Sequence, residues 1–479
     1  MSKRARFRLN GQRGYNFVST TTGSATQDTR TRKILVDIEY FDTSGDGVAR
    51  HRGQTLIVPF TIPGERVHVA LGPRRNGITS ASLVDIVRAS PHRVGPRCAH
   101  FGVCGGCAWQ HIAYPEQLRL KTETVGRLVH AAVPGAPGPL SMIAATPVEN
   151  PWHYRQKAHF VFRPPSRGAF GAPGSAAGLI MGHYARGSRR VMAVEECPVH
   201  DERGNAIAFG LFKSYARMGP APTTLKSIAV RASGSRDETM ATLVVTSDTD
   251  KRLRTATRQA LTASWAPSSF HVNVHPRGDP FIFGPETRRI TGTERLREDV
   301  SGTAFLISPT AFFQTNVKAA EILVRLVLEA VPAEAAVLDL YAGAGLFALP
   351  LARRGHQVIA VEANPMAVAD GEASLRLNRI PAERCRFIAK PVGAVTRRAL
   401  AATAVVLDPP REGCEAAVLD DVFGRIRPTT AVYVSCNPET LARDLKRVVR
   451  HGYEVSSLQP VDMFPHTPHI ETVTVVRRR

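Results

Sequence analysis

From about Thr303 onward the chain predicts an open α/β sheet, and three observations predict it. Ala336-Val337-Leu338-Asp339-Leu340-Tyr341 is a short apolar run leading into the turn Ala342-Gly343-Ala344-Gly345, then a helical stretch from Leu346 to Arg354. Two further apolar runs, Val358–Glu362 and Ala404–Asp408, each end in an acid. A last run, Ala431–Ser435, delivers Cys436 to a strand end, where Asn437-Pro438 breaks the backbone. Continuous β-branched runs of this kind read as strands buried on both faces. An open α/β sheet presents its chemistry at the carboxyl ends of such strands.

Composition sets the frame. A chain of 479 residues with 43% hydrophobic side chains has room for about three domains. No apolar run approaches the length of about eighteen residues that a membrane-spanning helix needs, so no membrane role is expected. A net charge of +21 points to a polyanionic partner, RNA or DNA ahead of a membrane surface. The seven cysteines are unevenly clustered, which does not suit a disulfide framework. They fit a reducing compartment with metal or catalytic use, so a cytoplasmic protein is expected; a monomer is expected separately.

Along the chain, residues 1–30 carry six basic side chains against Asp28 amid Ser, Thr and Gly, and read as a disordered basic arm. Residues 31–90 change to short strands and turns: Ile34–Glu39, Gly45–Arg50, Thr55–Phe60, the Pro63-Gly64-Glu65 turn, Arg66–Leu71 and Leu83–Val87. Strands at this spacing predict a small β-barrel comparable to an OB fold, with Arg50, Arg52, Arg74 and Arg75 as a basic face for single-stranded RNA. Residues 91–302 read as a mixed α/β central domain, with a helix over Gln117–His130 and a strand over Tyr154–Arg163 that alternates basic with aromatic or apolar groups. Residues 164–178 read as a mobile loop rich in Pro, Gly, Ser and Ala.

The central domain opens on a cysteine cluster, Cys98, Cys104 and Cys107, spaced by glycines that let a loop fold around an ion. Soft thiolates suit an iron–sulfur cluster or tetrahedral zinc, and Cys197 is the best candidate for the fourth ligand, because Cys385, Cys414 and Cys436 fall in the C-terminal domain. Spacing alone does not choose iron over zinc.

In the C-terminal domain, residues 303–479, the glycine turn and Glu362 can hold a nucleoside: backbone approaches closely and the carboxylate accepts from ribose hydroxyls. No full dinucleotide fingerprint and no P-loop lysine are present, and NAD is the competing reading. The arrangement resembles class I (Rossmann-like) S-adenosylmethionine-dependent methyltransferases. In that fold Asp408-Pro409-Pro410-Arg411 faces the junction of cofactor and substrate. Enzymes that methylate base amines carry an aromatic residue where this chain has Arg411, which disfavours that branch. Asp462–Glu471 brings a late carboxylate just before the last strand, Thr472–Val476.

Taken together, the segments resemble the RNA 5-methyluridine (uracil-C5) methyltransferase family, in the iron–sulfur branch that modifies 23S rRNA. The resemblance covers a TRAM-like barrel (Gly45–Arg50 and Val58–Glu65), the cysteine cluster, Phe312–Asn316, Asp339–Gly345, Asp408–Arg411, Ser435–Pro438 and Phe464–Glu471. It implies Cys436 as the nucleophile that adds to C6 of a uridine and Glu471 as the base that removes the C5 proton. It sets S-adenosylmethionine against Gln314, Tyr341, Gly343, Gly345, Glu362 and Asp408. It makes Cys98, Cys104, Cys107 and Cys197 ligands of a [4Fe-4S] cluster, zinc being the alternative, and puts Phe312 against an extruded base. Two positions depart from the pattern: Ala342 replaces a common Cys or Ser, and Phe387–Lys390 lacks the acid or amide that often holds the adenine. Other readings are a transfer-RNA uridine-C5 enzyme, an amino or cytosine methyltransferase, and a non-catalytic RNA-binding protein of the same fold.

Overall fold

Alternation of Val, Ile and Leu with polar residues over 33–88 builds a six-stranded sheet in the order Lys33–Asp37, Arg66–Arg75, Ile78–Arg88, Gln54–Val58, Gly47–His51, Tyr40–Phe41. Its inward residues, Val36, Leu56, Val58, Val67 and Val69, form one core, and Arg50, Arg52, Arg74 and Arg75 are exposed. The computed structural model describes residues 5–6, 16–17, 33–164, 175–176, 178–218, 223–276, 278, 282–397 and 401–479. The expected basic arm therefore lies outside the described residues, apart from Ala5–Arg6 paired with Asn16–Phe17. The expected loop over 164–178 lies mostly outside them as well.

The described chain divides into two units. One holds Met1–Gln117 with Ala185–Ser188 and His466–Pro468, and the other holds the remainder. Within the smaller unit, the backbone N–H groups of Ala108 and Trp109 both donate to the His466 carbonyl, and Trp109 Nε1 donates to the Gly45 carbonyl at 2.9 Å.

Among the described residues the larger unit contains two eight-stranded sheets and a two-stranded hairpin. The first runs Ser175–Ala176, Leu179–Tyr184, Lys157–Arg163, Leu225–Ala232, Thr239–Val245, Ser269–Val274, Glu286–Thr291, with Val191–Ala193 paired to Leu179–Tyr184. Ala158, Phe160, Ile228 and Val230 point to one face and bury against the helices Glu202–Ala216 and Lys251–Ala260. Asp201 and Asp250 cap those helices by accepting from backbone N–H groups of the first turn.

The second sheet runs Cys385–Ala389, Gln357–Glu362, Ala336–Leu340, Ala404–Leu407, Thr430–Ser435, Glu471–Arg478, Tyr453–Asp462, Ile143–Ala144. The first five strands are parallel, and Glu471–Arg478 is antiparallel to both neighbours. Both faces are covered, which explains the unbroken apolar runs. Val337, Val406 and Val432 pack with the helix Val317–Ala330; Leu338, Val405, Leu407 and Tyr433 pack with Val125 and Val129 of the helix Tyr114–Ala132 and with Leu441 and Leu445 of the helix Pro438–Arg450.

The division at 302/303 falls in the turn of a hairpin, Leu296–Val300 with Thr303–Ile307, whose Leu296, Val300 and Phe305 join the core beside the second sheet. Ile143–Ala144 and the helix Tyr114–Ala132 also serve that sheet, although they lie inside the stretch read as a central domain. No helix among the described residues is long and apolar enough to cross a membrane.

Candidate active site

Strand order in the second sheet reverses between Ala336–Leu340 and Ala404–Leu407, the switch point at which open α/β sheets bind ligands. The loop leaving the first strand turns sharply: Tyr341, Gly343 and Gly345 have φ of +63°, +55° and +87°. Ala342 N donates to Val361 O at 3.0 Å and Leu349 N to Gly345 O at 3.0 Å, so the turn runs directly into the next helix. The two glycines serve different ends. A Cβ on Gly345 would meet Phe387 Cζ at 2.8 Å, a packing constraint, whereas a Cβ on Gly343 would have nothing within 4 Å. Gly343 therefore borders open space that a ligand can fill.

Glu362, at the end of the neighbouring strand, accepts from Gly343 N at 3.0 Å and from Asn364 N at 2.7 Å. These bonds fix the carboxylate and leave lone pairs for ribose hydroxyls. Asp339 is buried one strand away, and burial, reinforced by Asp408 and Glu362, pushes its carboxyl well above the usual range. Burial alone lifts Asp408 to about 7. Three carboxyl groups crowded at adjacent strand ends favour a cation between them.

Cys436 and Glu471 meet through strand pairing. Thr430–Ser435 runs antiparallel to Glu471–Arg478 with Ser435 opposite Thr472, so Cys436 and Glu471 follow at the same end of the paired strands. Electrostatics report the same proximity. Burial pushes the Cys436 thiol up to about 12, with the Glu471 and Asp408 carboxylates adding and Arg411 opposing. Burial lifts Glu471 to about 8, Asp408 adds, and Arg411 again opposes. The structure thus brings Cys436, Glu471, Asp408 and Arg411 to one place. Arg411 Nη2 also lies 3.2 Å from His469 Nδ1, and burial, then Arg411, holds that imidazole down to about 4.

The two loops are tied together. Asn437 Nδ2 and Thr440 Oγ1 both donate to Arg411 O at 3.1 Å. Asn437 caps the following helix by accepting from Glu439 N at 3.0 Å, and Pro438 fits its first turn. Beneath them the buried Asp444 carboxylate accepts from Tyr433 Oη at 2.7 Å, Cys414 N at 2.8 Å and Arg443 Nε at 2.8 Å. Sequence reasoning missed Asp444; its signal was an acid on the apolar stripe Leu441, Leu445, Val448. The approach to Glu471 is held just as firmly. Lys121 Nζ donates to Asp462 Oδ1 at 2.6 Å and to Phe464 O at 3.0 Å, with Lys121 and Asp462 side chains both 0% exposed. Asn316 Nδ2 donates to Met463 O at 3.0 Å, and Tyr154 Oη to Pro465 O at 3.0 Å. Gln314 is partly buried on the segment before Asn316, and Phe312 beside it is 71% exposed.

Of the expected metal ligands, Cys98, Cys104 and Cys107 lie in the smaller unit and Cys197 in the larger. Burial pushes the Cys104 thiol up, Cys98 adds to the shift, and Gly106 N donates to Cys104 Sγ at 3.4 Å. Inside the larger unit, ligand atoms of His183, Cys197 and His200 lie within 4.8 Å of one another, a grouping that sequence spacing did not reveal.

Comparison with known proteins finds relatives over most of the chain. The family described as tRNA (Uracil-5-)-methyltransferase matches residues 230–479, and the TRAM domain matches residues 27–71. A protein of Gloeobacter violaceus named as an uncharacterized RNA methyltransferase is 35% identical over 460 residues, spanning 93% of this chain and 96% of that protein. Another so named, from Halalkalibacterium halodurans, is 31% identical over 459 residues, spanning 92% and 96%. The crystal structure of Pyrococcus abyssi tRNA (uracil-54, C5)-methyltransferase with S-adenosyl-L-homocysteine has a TM-score of 0.72 and 25% identity, covering 92% of this chain and 100% of that one.

Proposed function

Because the chain belongs to the tRNA (uracil-5-)-methyltransferase family and is an S-adenosylmethionine-dependent RNA methyltransferase, we propose that it methylates C5 of one uridine through a covalent Cys436 adduct. The observation that supports this reading best is the strand pairing that ends with Ser435 opposite Thr472, next to Cys436 and Glu471, with Asp408 in electrostatic reach of both.

The chemistry follows from what a pyrimidine lacks. C5 of uracil is a weak nucleophile, and a thiolate adding at C6 turns it into the carbon end of an enolate. The Cys436 proton must leave before or as that bond forms, and Arg411 is the nearby cation favouring the thiolate. S-adenosylmethionine supplies an electrophilic methyl group on a sulfonium. The donor set fits that group: Gly343 borders open space, Glu362 is anchored for ribose hydroxyls, and the carboxyl cluster suits a positive sulfur. Gln314, Tyr341, Gly345 and Asp408 complete the proposed contacts. Once C5 carries the methyl group, the Glu471 carboxylate takes the C5 proton, the C5–C6 double bond re-forms, and the Cys436 thiolate leaves. Glu471 at about 8 is matched to accept a proton near neutral pH.

Ribosomal RNA, 23S in particular, is the proposed substrate, supported by the cysteine set that the family resemblance associates with that branch. The Pyrococcus abyssi enzyme acts on transfer RNA, which keeps transfer RNA as the second reading. For the metal, soft thiolates at Cys98, Cys104, Cys107 and Cys197 support a [4Fe-4S] cluster of structural role. The trio His183, Cys197, His200 instead favours zinc at Cys197. Iron, acid-labile sulfide and zinc contents decide between them. Cysteines clustered for a metal or placed for catalysis, rather than spread as a disulfide framework, support action in the reducing cytoplasm. The enzymatic reading is tested by incubating the protein with methyl-labelled cofactor and RNA from a strain lacking the gene. Label recovered as 5-methyluridine supports it, and label in cytosine or adenine, or full activity of Cys436→Ala, rejects it.

A further inference from the structure

The first sheet of the larger unit pairs two cations directly. In the antiparallel register of Lys157–Arg163 with Leu225–Ala232, Lys157 stands opposite Arg231. Like charges directly opposite each other destabilise a sheet. Arg155, two residues before Lys157 and just outside the strand, donates from Nε to Lys157 O at 3.3 Å and adds to the positive charge felt by Lys157. The face that carries Lys157 and Arg231 is turned away from the helices, because Ala158, Phe160, Ile228 and Val230 occupy the helix side.

Among the described residues only Glu298 offsets the group, and only at Arg231. No carboxylate makes an ion pair with Arg155, Lys157 or Arg231, although Arg231 is only 7% exposed. Glu298, the acid that attracts Arg231, is already committed to Ser233 Oγ at 2.9 Å, Gly234 N at 2.8 Å and Ser235 N at 3.0 Å. Lys157 Nζ lies 5.4 Å from the centre of the Phe283 ring, a weak substitute for an anion. Burial, then Arg231 and Arg155, brings the Lys157 ammonium down to about 7. The cations adjoin the proposed cofactor and base segment: Arg231 Nη2 reaches Phe313 O at 3.5 Å, and Gln156 N donates to Thr315 O at 2.7 Å.

We propose that Arg155, Lys157 and Arg231 form a phosphate site that takes a backbone phosphate of the RNA beside the nucleotide to be methylated. The planar guanidinium forks and the compact ammonium match phosphate oxygens, and a bound phosphate converts mutual repulsion into attraction. The site rests on the RNA reading given above, but its anion chemistry can be tested apart from methyl transfer.

The double variant Lys157→Met/Arg231→Met and the single variant Lys157→Gln are compared with the full wild-type chain. Inorganic phosphate, against chloride at equal ionic strength, raises the wild-type Tm and leaves that of the double variant unmoved. In chloride alone the double variant melts higher than wild type, since a repelling pair has been removed. Binding of a 12-nucleotide oligo(U) weakens about 10-fold, and the slope of log affinity against log salt falls by about 1.4 for two lost contacts. Lys157→Gln shows half that fall in slope, and Lys157→Arg restores binding. Equal phosphate stabilisation of wild type and both variants, with an unchanged salt slope, overturns the site. Methyl transfer that proves absent from every RNA, with the phosphate effect intact, removes the RNA reading and leaves an anion site.

Discussion

The strand-end pocket and the cationic sheet face are opposites in charge built by one device. In the pocket, Asp339, Asp408 and Glu471 are crowded together, and their carboxyl groups are held neutral further up the pH scale than usual. At the sheet face, Lys157, Arg231 and Arg155 are crowded, and the ammonium gives up its proton more readily than usual. Each region carries the strain of gathered like charges offset by a single opposite charge, Arg411 in the pocket and Glu298 at the sheet face. On the proposed reading a ligand supplies the balancing charge: a sulfonium in the first case, a phosphate in the second. An enzyme that joins a cationic methyl donor to a polyanion needs both surfaces, and here they are built on different sheets.

The comparison can be broken most sharply at the nucleophile. Cys436→Ala removes the electron pair that activates C5, and methyl transfer is expected to fall by about 1000-fold or more in a single-turnover assay. Residual turnover close to wild type would mean that the carboxyl pocket does other chemistry. Glu471→Gln leaves the thiol and removes the base, so kcat is expected to fall about 100- to 10,000-fold. Denaturing gels should then show RNA retained on the protein, because the adduct forms but cannot lose its C5 proton. If Glu471→Gln slows turnover without retained RNA, Glu471 acts before methyl transfer and its role as the releasing base is wrong.

Stability tests come next in size. The Lys121–Asp462 pair is fully buried, so Lys121→Met strands a carboxylate and should cost about 3–5 kcal/mol in denaturant unfolding. The double change Lys121→Met/Asp462→Leu should recover most of that loss, since it removes both charges together. Unlike the two ligand surfaces, this pair is already neutralised within the chain, and it sharpens the contrast between scaffold charge and ligand-directed charge.

The smallest effects lie in pH dependence, and the two regions run in opposite directions. Glu471 and Asp408 titrate higher in the folded chain, at about 8 and about 7, than when unfolded. Their contribution is full below the unfolded carboxyl range and is lost as pH rises to about 8, so Tm of the cofactor-free protein should fall across that window relative to Glu471→Gln. Lys157 titrates lower, at about 7, so its contribution is full above the unfolded lysine range and is lost as pH falls toward 7. Relative to Lys157→Met, wild-type Tm should therefore fall as pH drops from about 10 to 7. Parallel curves for wild type and each variant would show that neither region stores the proposed repulsion.

The sequence exposes the two regions unequally. Cys436, Glu362 and Asp408 stand out because each ends an apolar run, and strand ends are where such sheets do chemistry. What brings Glu471 to Cys436 is an antiparallel register between a strand ending at Ser435 and one beginning at Glu471, and pairing partners are a property of topology. Lys157 and Arg231 are separated by more than seventy residues, so each alone reads as an ordinary basic residue in a basic chain. Asp444 and Lys121 were hidden for a related reason: a charged residue on a helix reads as solvated until its partner, far off in sequence, is seen to bury it. The hairpin across residue 302 escaped because local pattern marks strands without saying which core receives them.

The covalent step is tested most directly with RNA transcribed using 5-fluorouridine, since fluorine at C5 cannot be taken up by Glu471 as a proton. With S-adenosylmethionine present, the wild-type protein should form a complex with 23S rRNA or transfer RNA that survives denaturing electrophoresis. Peptide mass analysis should place the nucleotide on Cys436, and Cys436→Ala should form no complex. A complex that persists in Cys436→Ala, or a wild-type protein that methylates uridine yet never traps the fluorinated RNA, would contradict the covalent account.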